Sequence, residues 1–214
     1  MTRDIAALIA AASAPDPIAS DGIAAAAADL ADAFRDEPLF TWMSRADDGR
    51  HAARKDFMEF ILRRVIFGPG EIRRASTGGA VIAWIPSEHL GPQPIAKEIA
   101  FVPVALRLTG LTRLHRLLQL RRAIDRHHSL ARPHDYLFFL GVAPEAQRKG
   151  VGSALMRDWT RRLDAGRRPA FLETGNAANL PFYARFGFTV TAEYRAAPSA
   201  PMSWAMWREP AAWR

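Results

Sequence analysis

Cysteine is absent from all 214 residues, which excludes disulfides, thiolate nucleophiles and Cys-type zinc sites together. The six histidines (His51, His89, His115, His127, His128 and His134) never fall at an H-E-x-x-H or related ligand spacing, so no metal is expected. Lysine occurs only at Lys55, Lys97 and Lys149, leaving arginine to supply nearly all the positive charge behind a net +7. The arginines are spread along the chain without interleaved aromatics. That pattern reads as an arginine-rich solvated surface, with no nucleic-acid partner expected. The alanine-rich apolar stretch within Met1–Pro15, behind Arg3, is too short to span a bilayer. No membrane association and a cytoplasmic location are therefore expected. Neither a Walker lysine-serine ending nor a G-x-G-x-x-G spacing occurs, which disfavours an NTPase or a dinucleotide enzyme.

What is present suffices for one full core: hydrophobic residues make up 49% and charged residues 24%, ordinary for a globular domain. Residues 1–20 read as a helical or loose N-terminal extension, and residues 21–214 as one domain. Ile23, Ala27, Leu30 and Phe34 recur at helical spacing behind a Ser20/Asp21 cap. Phe57, Met58, Phe60, Ile61 and Val65 suggest a second helix, closed by Gly68-Pro69-Gly70. Glu71–Ala75 and Ala80–Ile85 read as strands joined through Thr77-Gly78-Gly79. Residues 87–133 read as a helical insertion, with Leu111, Leu114, Leu117, Leu118 and Leu120 interleaved with Arg113, Arg116, Arg121 and Arg122. It serves as an amphipathic cover, a substrate wall or both.

The C-terminal third carries the chemistry. Tyr136–Val142 is apolar at nearly every position, as a strand covered on both faces must be. Gln147-Arg148-Lys149-Gly150-Val151-Gly152 follows, and then a helix over Ser153–Leu163 with a Leu155, Trp159 and Leu163 stripe, ended by Gly166. A strand, a glycine-bearing turn and a helix start make amide groups converge where a phosphate can sit. Ala170–Thr174 should lie parallel to Tyr136–Val142, because a helix crosses over between them. Asn179 is placed to cap a short helix over Leu180–Phe186, and Phe188–Tyr194 and Met202–Arg208 close the sheet. Trp84, Trp204 and Trp207 read as core or pocket wall.

Together these segments resemble the GNAT superfamily of N-acetyltransferases, and within it the puromycin N-acetyltransferase-like enzymes. The likeness rests on Gln147–Gly152, on Asn179-Leu180-Pro181-Phe182-Tyr183 and on Phe186-Gly187-Phe188. It implies an α/β fold with a mixed central sheet, splayed parallel strands, flanking helices and the helical insertion ahead of the central strand. It implies acetyl-CoA as co-substrate and acetyl transfer to the primary amine of a small molecule, antibiotic-like in the puromycin manner, by direct attack. The alternatives are a protein N-terminal or lysine acetyltransferase and a non-catalytic acyl-CoA-binding protein. Carried over by residue, the amides of Gln147, Arg148, Lys149, Gly150, Val151, Gly152 and Ser153 would cradle the pyrophosphate. Leu140 and Val142 would pair with the pantetheine arm, Asn179 would hold that arm or fix the loop, and Tyr183 would protonate the departing thiolate. Glu173, a carboxylate in an otherwise apolar strand, is the first choice for general base. It also fits a strand-end glutamate paired with arginine or reaching solvent, and Tyr183 also fits a core tyrosine. His134 and Asp135 are lesser base candidates, and water could relay the proton instead. Monomer and homodimer are both open.

Overall fold

The computed structural model describes residues 4–91, 94–128 and 132–211; residues 92–93 and 129–131 of the expected insertion lie outside that set. Helix α1 (Ile5–Ser13) opens the chain, capped by the Asp4 carboxylate, which accepts the amides of Ala6 and Ala7. A two-residue strand β1 (Asp16–Pro17), not expected from the sequence, adds antiparallel to the sheet edge. A 3-10 turn over Ser20–Gly22 then feeds α2 (Ile23–Ala33). The expected Ser20/Asp21 cap is not made, because that turn leaves Gly22 at the cap position without a side-chain acceptor. Helices α3 (Pro38–Met43) and α4 (Arg50–Ile61) follow, and α4 ends in a π-helical turn at Leu62–Ile66.

The hairpin strands β2 (Glu71–Arg74) and β3 (Ala80–Pro86) form as the sequence indicates. The insertion is helix α5 (Ile95–His127), broken at Gly110, whose φ of 63° and ψ of 178° no helix contains. A straight helix would separate Glu98 from Arg121 by about 34 Å at 1.5 Å per residue. Instead the two make a bidentate ion pair at 2.6 and 2.7 Å. The chain therefore folds back at Gly110 into a hairpin of two limbs.

Strand β4 (Asp135–Val142), helix α6 (Val151–Ala165), strand β5 (Ala170–Thr174), helix α7 (Leu180–Ala184), and strands β6 (Thr189–Arg195) and β7 (Met202–Arg208) complete the chain. The seven strands run in the order β1-β2-β3-β4-β5-β7-β6. Among these seven strands only β4 and β5 run parallel, paired from Asp135 with Ala170 to Leu137 with Leu172. Beyond Leu137 they part, while β4 stays paired with β3 as far as Val142. A mixed sheet with one splayed parallel pair, flanked by helices on both faces, is the architecture.

Both faces of the sheet are packed. On one side α2, α3 and α4 bury Leu30, Met43, Met58 and Leu62 against Val81, Ala83 and Phe139. On the other, α1 and α6 bury Leu8, Ala12, Leu155, Trp159 and Leu163 against Ile82, Trp84 and Leu172. Asp158 of α6 is buried and pairs with Arg161 and Arg162 one helical turn further on. The insertion leaves the sheet after Pro86 and rejoins it at Asp135, and these two residues are paired neighbours.

Candidate active site

The gap between β4 and β5 opens into a cavity of about 1450 Å³. Strand alternation decides what β4 offers to it. Ala143 donates its amide to Gly79 O at 2.7 Å, so hydrogen-bonded pairs fall at Ala143 and, two residues back, at Gly141 opposite Val81. Leu140 and Val142 occupy the alternate positions, which turn their N–H and C=O groups away from β3 and toward the gap. The Val142 carbonyl accepts Gln147 Nε2 at 3.0 Å. A bulge sits lower on the strand: Ala83 pairs with Phe139 and Trp84 with Leu137, leaving Phe138 as the extra residue.

At the wide end lies the turn into α6. Arg148 has φ 60° and Gly150 has φ 95°, and Gly150 occupies the helix cap in a left-handed conformation that side chains resist. The helix begins at Val151, two residues earlier than the periodicity predicts, so Val151, Gly152 and Ser153 form its first turn. Their amides lack intrahelical acceptors; the first helical bond is from Ala154 to Gly150 O at 3.0 Å. A Cβ built on Gly152 would meet Phe182 and Val142 at 3.5 Å and beyond, ordinary van der Waals contact, so the first turn packs closely beneath α7 and the end of β4. Gln147 differs from the rest of the predicted cradle. Its amide is spent on Pro144 O, and its side chain bridges Ala33 O and Val142 O, bracing the turn to α2 and β4. Arg148 and Lys149 are exposed beside it.

On the far lip, α7 presents Tyr183, which is buried and lines the cavity. No hydrogen bond to its hydroxyl forms among the described residues. Burial, reinforced by the nearby Glu37 charge, holds its pKa above the ordinary phenol value, so the hydroxyl keeps its proton. Asn179 does not cap α7, because its backbone is already helical there. Its Nδ2 instead donates to Thr174 Oγ1 at 3.2 Å, tying the loop to the end of β5. The preceding turn is capped by Asn176.

Glu173 projects from β5 into the same cavity. Among the described residues it pairs with no arginine. Its carboxylate accepts the hydroxyls of Tyr136, at 3.2 Å, and of Tyr194. Desolvation pushes its pKa up to about 7 despite those hydrogen bonds. All three tyrosines of the chain therefore line one cavity. His134 and Asp135 do not join them. Asp135 binds Arg168, which also grips Glu88 and holds that carboxyl down near about 2. His134 Nδ1 meets Arg132 O, and its Nε2 meets His128 Nε2 at 2.7 Å. These groups fasten the feet of β3, β4 and β5.

The sequence reading missed Glu37. Its carboxylate accepts the Phe40 amide at 2.8 Å as the cap of α3, and it too lines the cavity with a pKa raised by burial. An acid directly before a proline at the first helical position, as in Glu37-Pro38, is the signal that marks such a cap. Buried Arg54 secures this segment by donating to Ala31 O and Arg35 O at the end of α2. Among the described residues no three His, Asp or Glu side chains gather as a metal site, and no helix is long and apolar enough to cross a membrane.

Residues 119–190 match the family model described as an acetyltransferase (GNAT) domain. The whole architecture has solved counterparts. A structure described as histone acetyltransferase HPA2 and related acetyltransferase, from Corynebacterium glutamicum, is 23% identical and covers 92% of this chain and 96% of its own, with a TM-score of 0.67. The fold is that of the GNAT acetyltransferases. Arylalkylamine N-acetyltransferase 2 from Aedes aegypti shares it at 14% identity, 91% and 97% coverage and a TM-score of 0.60. So does a Drosophila melanogaster polyamine N-acetyltransferase, at 16% identity, 90% and 97% coverage and a TM-score of 0.54. In this GNAT fold the matched segment runs from the second limb of α5 through β4, the amide turn, α6 and α7.

Proposed function

We propose that the protein transfers an acetyl group from acetyl-CoA to the primary amine of a small molecule. The observation that carries the reading is one cavity bounded by a helix start with free amides, a splayed strand with outward main-chain groups, and a buried neutral tyrosine. The first-turn amides and those of Arg148 and Lys149 would take the pyrophosphate. Leu140 and Val142 would pair with the pantetheine amides as an added strand, with Gln147 bracing the turn. The amine nitrogen attacks the thioester carbonyl carbon, its C–N bond forming as the C–S bond breaks. The nitrogen's proton passes to Glu173, and the leaving thiolate takes the hydroxyl proton of Tyr183. Main-chain amides of β4 would polarise the carbonyl oxygen. Asn179 holds the loop that carries Tyr183.

Small acceptors are favoured over protein amines because the α5 hairpin walls the cavity. The fold's relatives include enzymes named for arylalkylamines and for a polyamine, which fits that choice. A puromycin-like acceptor remains one member of this class. The presence of Tyr183 and Glu173 on one cavity favours turnover over passive coenzyme binding.

Thiol release from acetyl-CoA, followed across a panel of amines that includes puromycin, tests the reading. Release that depends on an amine supports it; no release with any amine overturns it. Tyr183→Phe should lower kcat by about 100-fold or more with little change in the KM for acetyl-CoA. Equal turnover would remove the acid role. Comparing Glu173→Gln with Glu37→Gln decides which carboxylate takes the proton.

A further inference from the structure

The end of the cavity away from the amide turn has a composition of its own. Phe60, Phe101 and Phe57 follow one another at centroid separations of 5.4 and 6.1 Å, and Phe138 stands 5.0 Å from Tyr136 beside Glu173. All of these rings line the cavity. Its charged groups are largely committed: Glu98 is neutralised by Arg121, and Asp32 by Arg35 and His51. Asp125 faces solvent at the rim, where water screens it.

Beside Glu173 lies an unused polar group. Ser203 is 1% exposed and lines the cavity, yet its Oγ has no hydrogen-bond partner among the described residues. In the sheet Glu173 pairs with Ala205, two residues from Ser203, and Ser203 pairs with Tyr194. Glu173 and Ser203 are thus diagonal neighbours on one face, with Cβ atoms roughly 7 Å apart. A single nitrogen between them can reach both. A buried hydroxyl left unpaired is destabilising, so a donor or acceptor brought by a ligand would recover that cost.

Resting on the acyl-transfer reading, we infer that the acceptor is a monoamine with an aromatic body, its nitrogen held between Glu173 and Ser203 and its ring laid along Phe57, Phe60 and Phe101. The cavity's other enclosed carboxylate, Glu37, already accepts the Phe40 amide at the cap of α3, so a di- or polyamine finds no second unengaged carboxylate beside Glu173. Ser203 is then a specificity residue for the amine, acting apart from the coenzyme.

The test uses the full chain. Thiol release is compared for 2-phenylethylamine, tryptamine, agmatine and spermidine, and calorimetry measures 2-phenylethylamine binding to the CoA-saturated protein. The aromatic amines should exceed the polyamines at least tenfold in kcat/KM. Phe101→Ala and Ser203→Ala should each raise the KM for the aromatic amine about five- to tenfold and leave the KM for acetyl-CoA unchanged, with Ser203→Thr restoring it. Polyamines outpacing aromatic amines would overturn the inference while leaving acyl transfer standing. Unmoved amine KM values in both variants would do the same. If no amine releases thiol, the acyl-transfer reading fails, and calorimetry still decides this one: no heat of 2-phenylethylamine binding overturns it.

Discussion

Single residues set the proton inventory of the cavity. Glu173, held up to about 7, is half ionised near neutrality. As a base it must be ionised, so kcat/KM should rise about tenfold per pH unit below about pH 7 and level off above it. Glu173→Gln should abolish that limb, and an unchanged profile would exclude the role. The same shift has a stability consequence of definite sign. The folded carboxyl binds its proton more tightly than the unfolded one, whose pKa is 4.5. Its contribution is complete below about pH 4.5 and is lost as pH rises through about 7, amounting to at most about 3 kcal/mol. Thermal melts of the wild type should therefore fall relative to Glu173→Gln between pH 5 and pH 8. Gly150, at φ 95°, is the other decisive residue. Gly150→Val forces a branched side chain into a left-handed conformation at the mouth of the amide turn. The thermal shift produced by acetyl-CoA should disappear in that variant, and its survival would refute the phosphate assignment.

At the scale of elements, β3, β4 and β5 were legible because their apolar runs are unbroken, and α6 because its apolar stripe recurs at helical spacing. The Gln147–Gly152 turn was legible because its glycines interrupt such a pattern. Less could be read where tertiary contacts override local signals. The polar Asn179 looked like a helix cap, but Thr174 takes its side chain. Glu37 was overlooked because it belongs to the short helix α3, and only the folded chain brings that helix to the cavity. The scarcity of tyrosine, at three residues, was an unused clue, since every one of them lines the site. The α5 hairpin was read as helical but not as folded back, because one glycine in 33 residues is a weak sign of a reversal. Gly110→Val should cost about 1–3 kcal/mol, since its φ and ψ lie in a region that is essentially glycine's alone. The melting temperature should drop by several degrees. An unchanged melt would mean that the hairpin bends elsewhere.

The whole molecule is one sheet with a core on each face, and the proposed coenzyme site uses parts from both. Gln147 ties the amide turn to α2 on one face, while α6 belongs to the other. Ligand binding at that junction should stabilise the entire fold. At acetyl-CoA concentrations 100-fold above Kd, linkage gives about 2.7 kcal/mol. That should raise the melting temperature by roughly 5–10 °C for a chain of this size. Leu155→Ala, which empties a fully buried position of α6, should cost about 2–5 kcal/mol. Denaturant titration checks it.

The attachment of the α5 hairpin has a further consequence. Pro86 and Asp135 stand side by side on adjacent strands, so the intervening chain departs and returns through a doorway only about 5 Å wide. Because both ends meet at one spot, a replacement hairpin of different length need not shift the strands, provided it restores the core packing that Leu108, Leu117 and Leu120 supply. On the proposed acyl-transfer reading, grafting a foreign hairpin at these two points should redirect which amines are accepted while coenzyme affinity stays put.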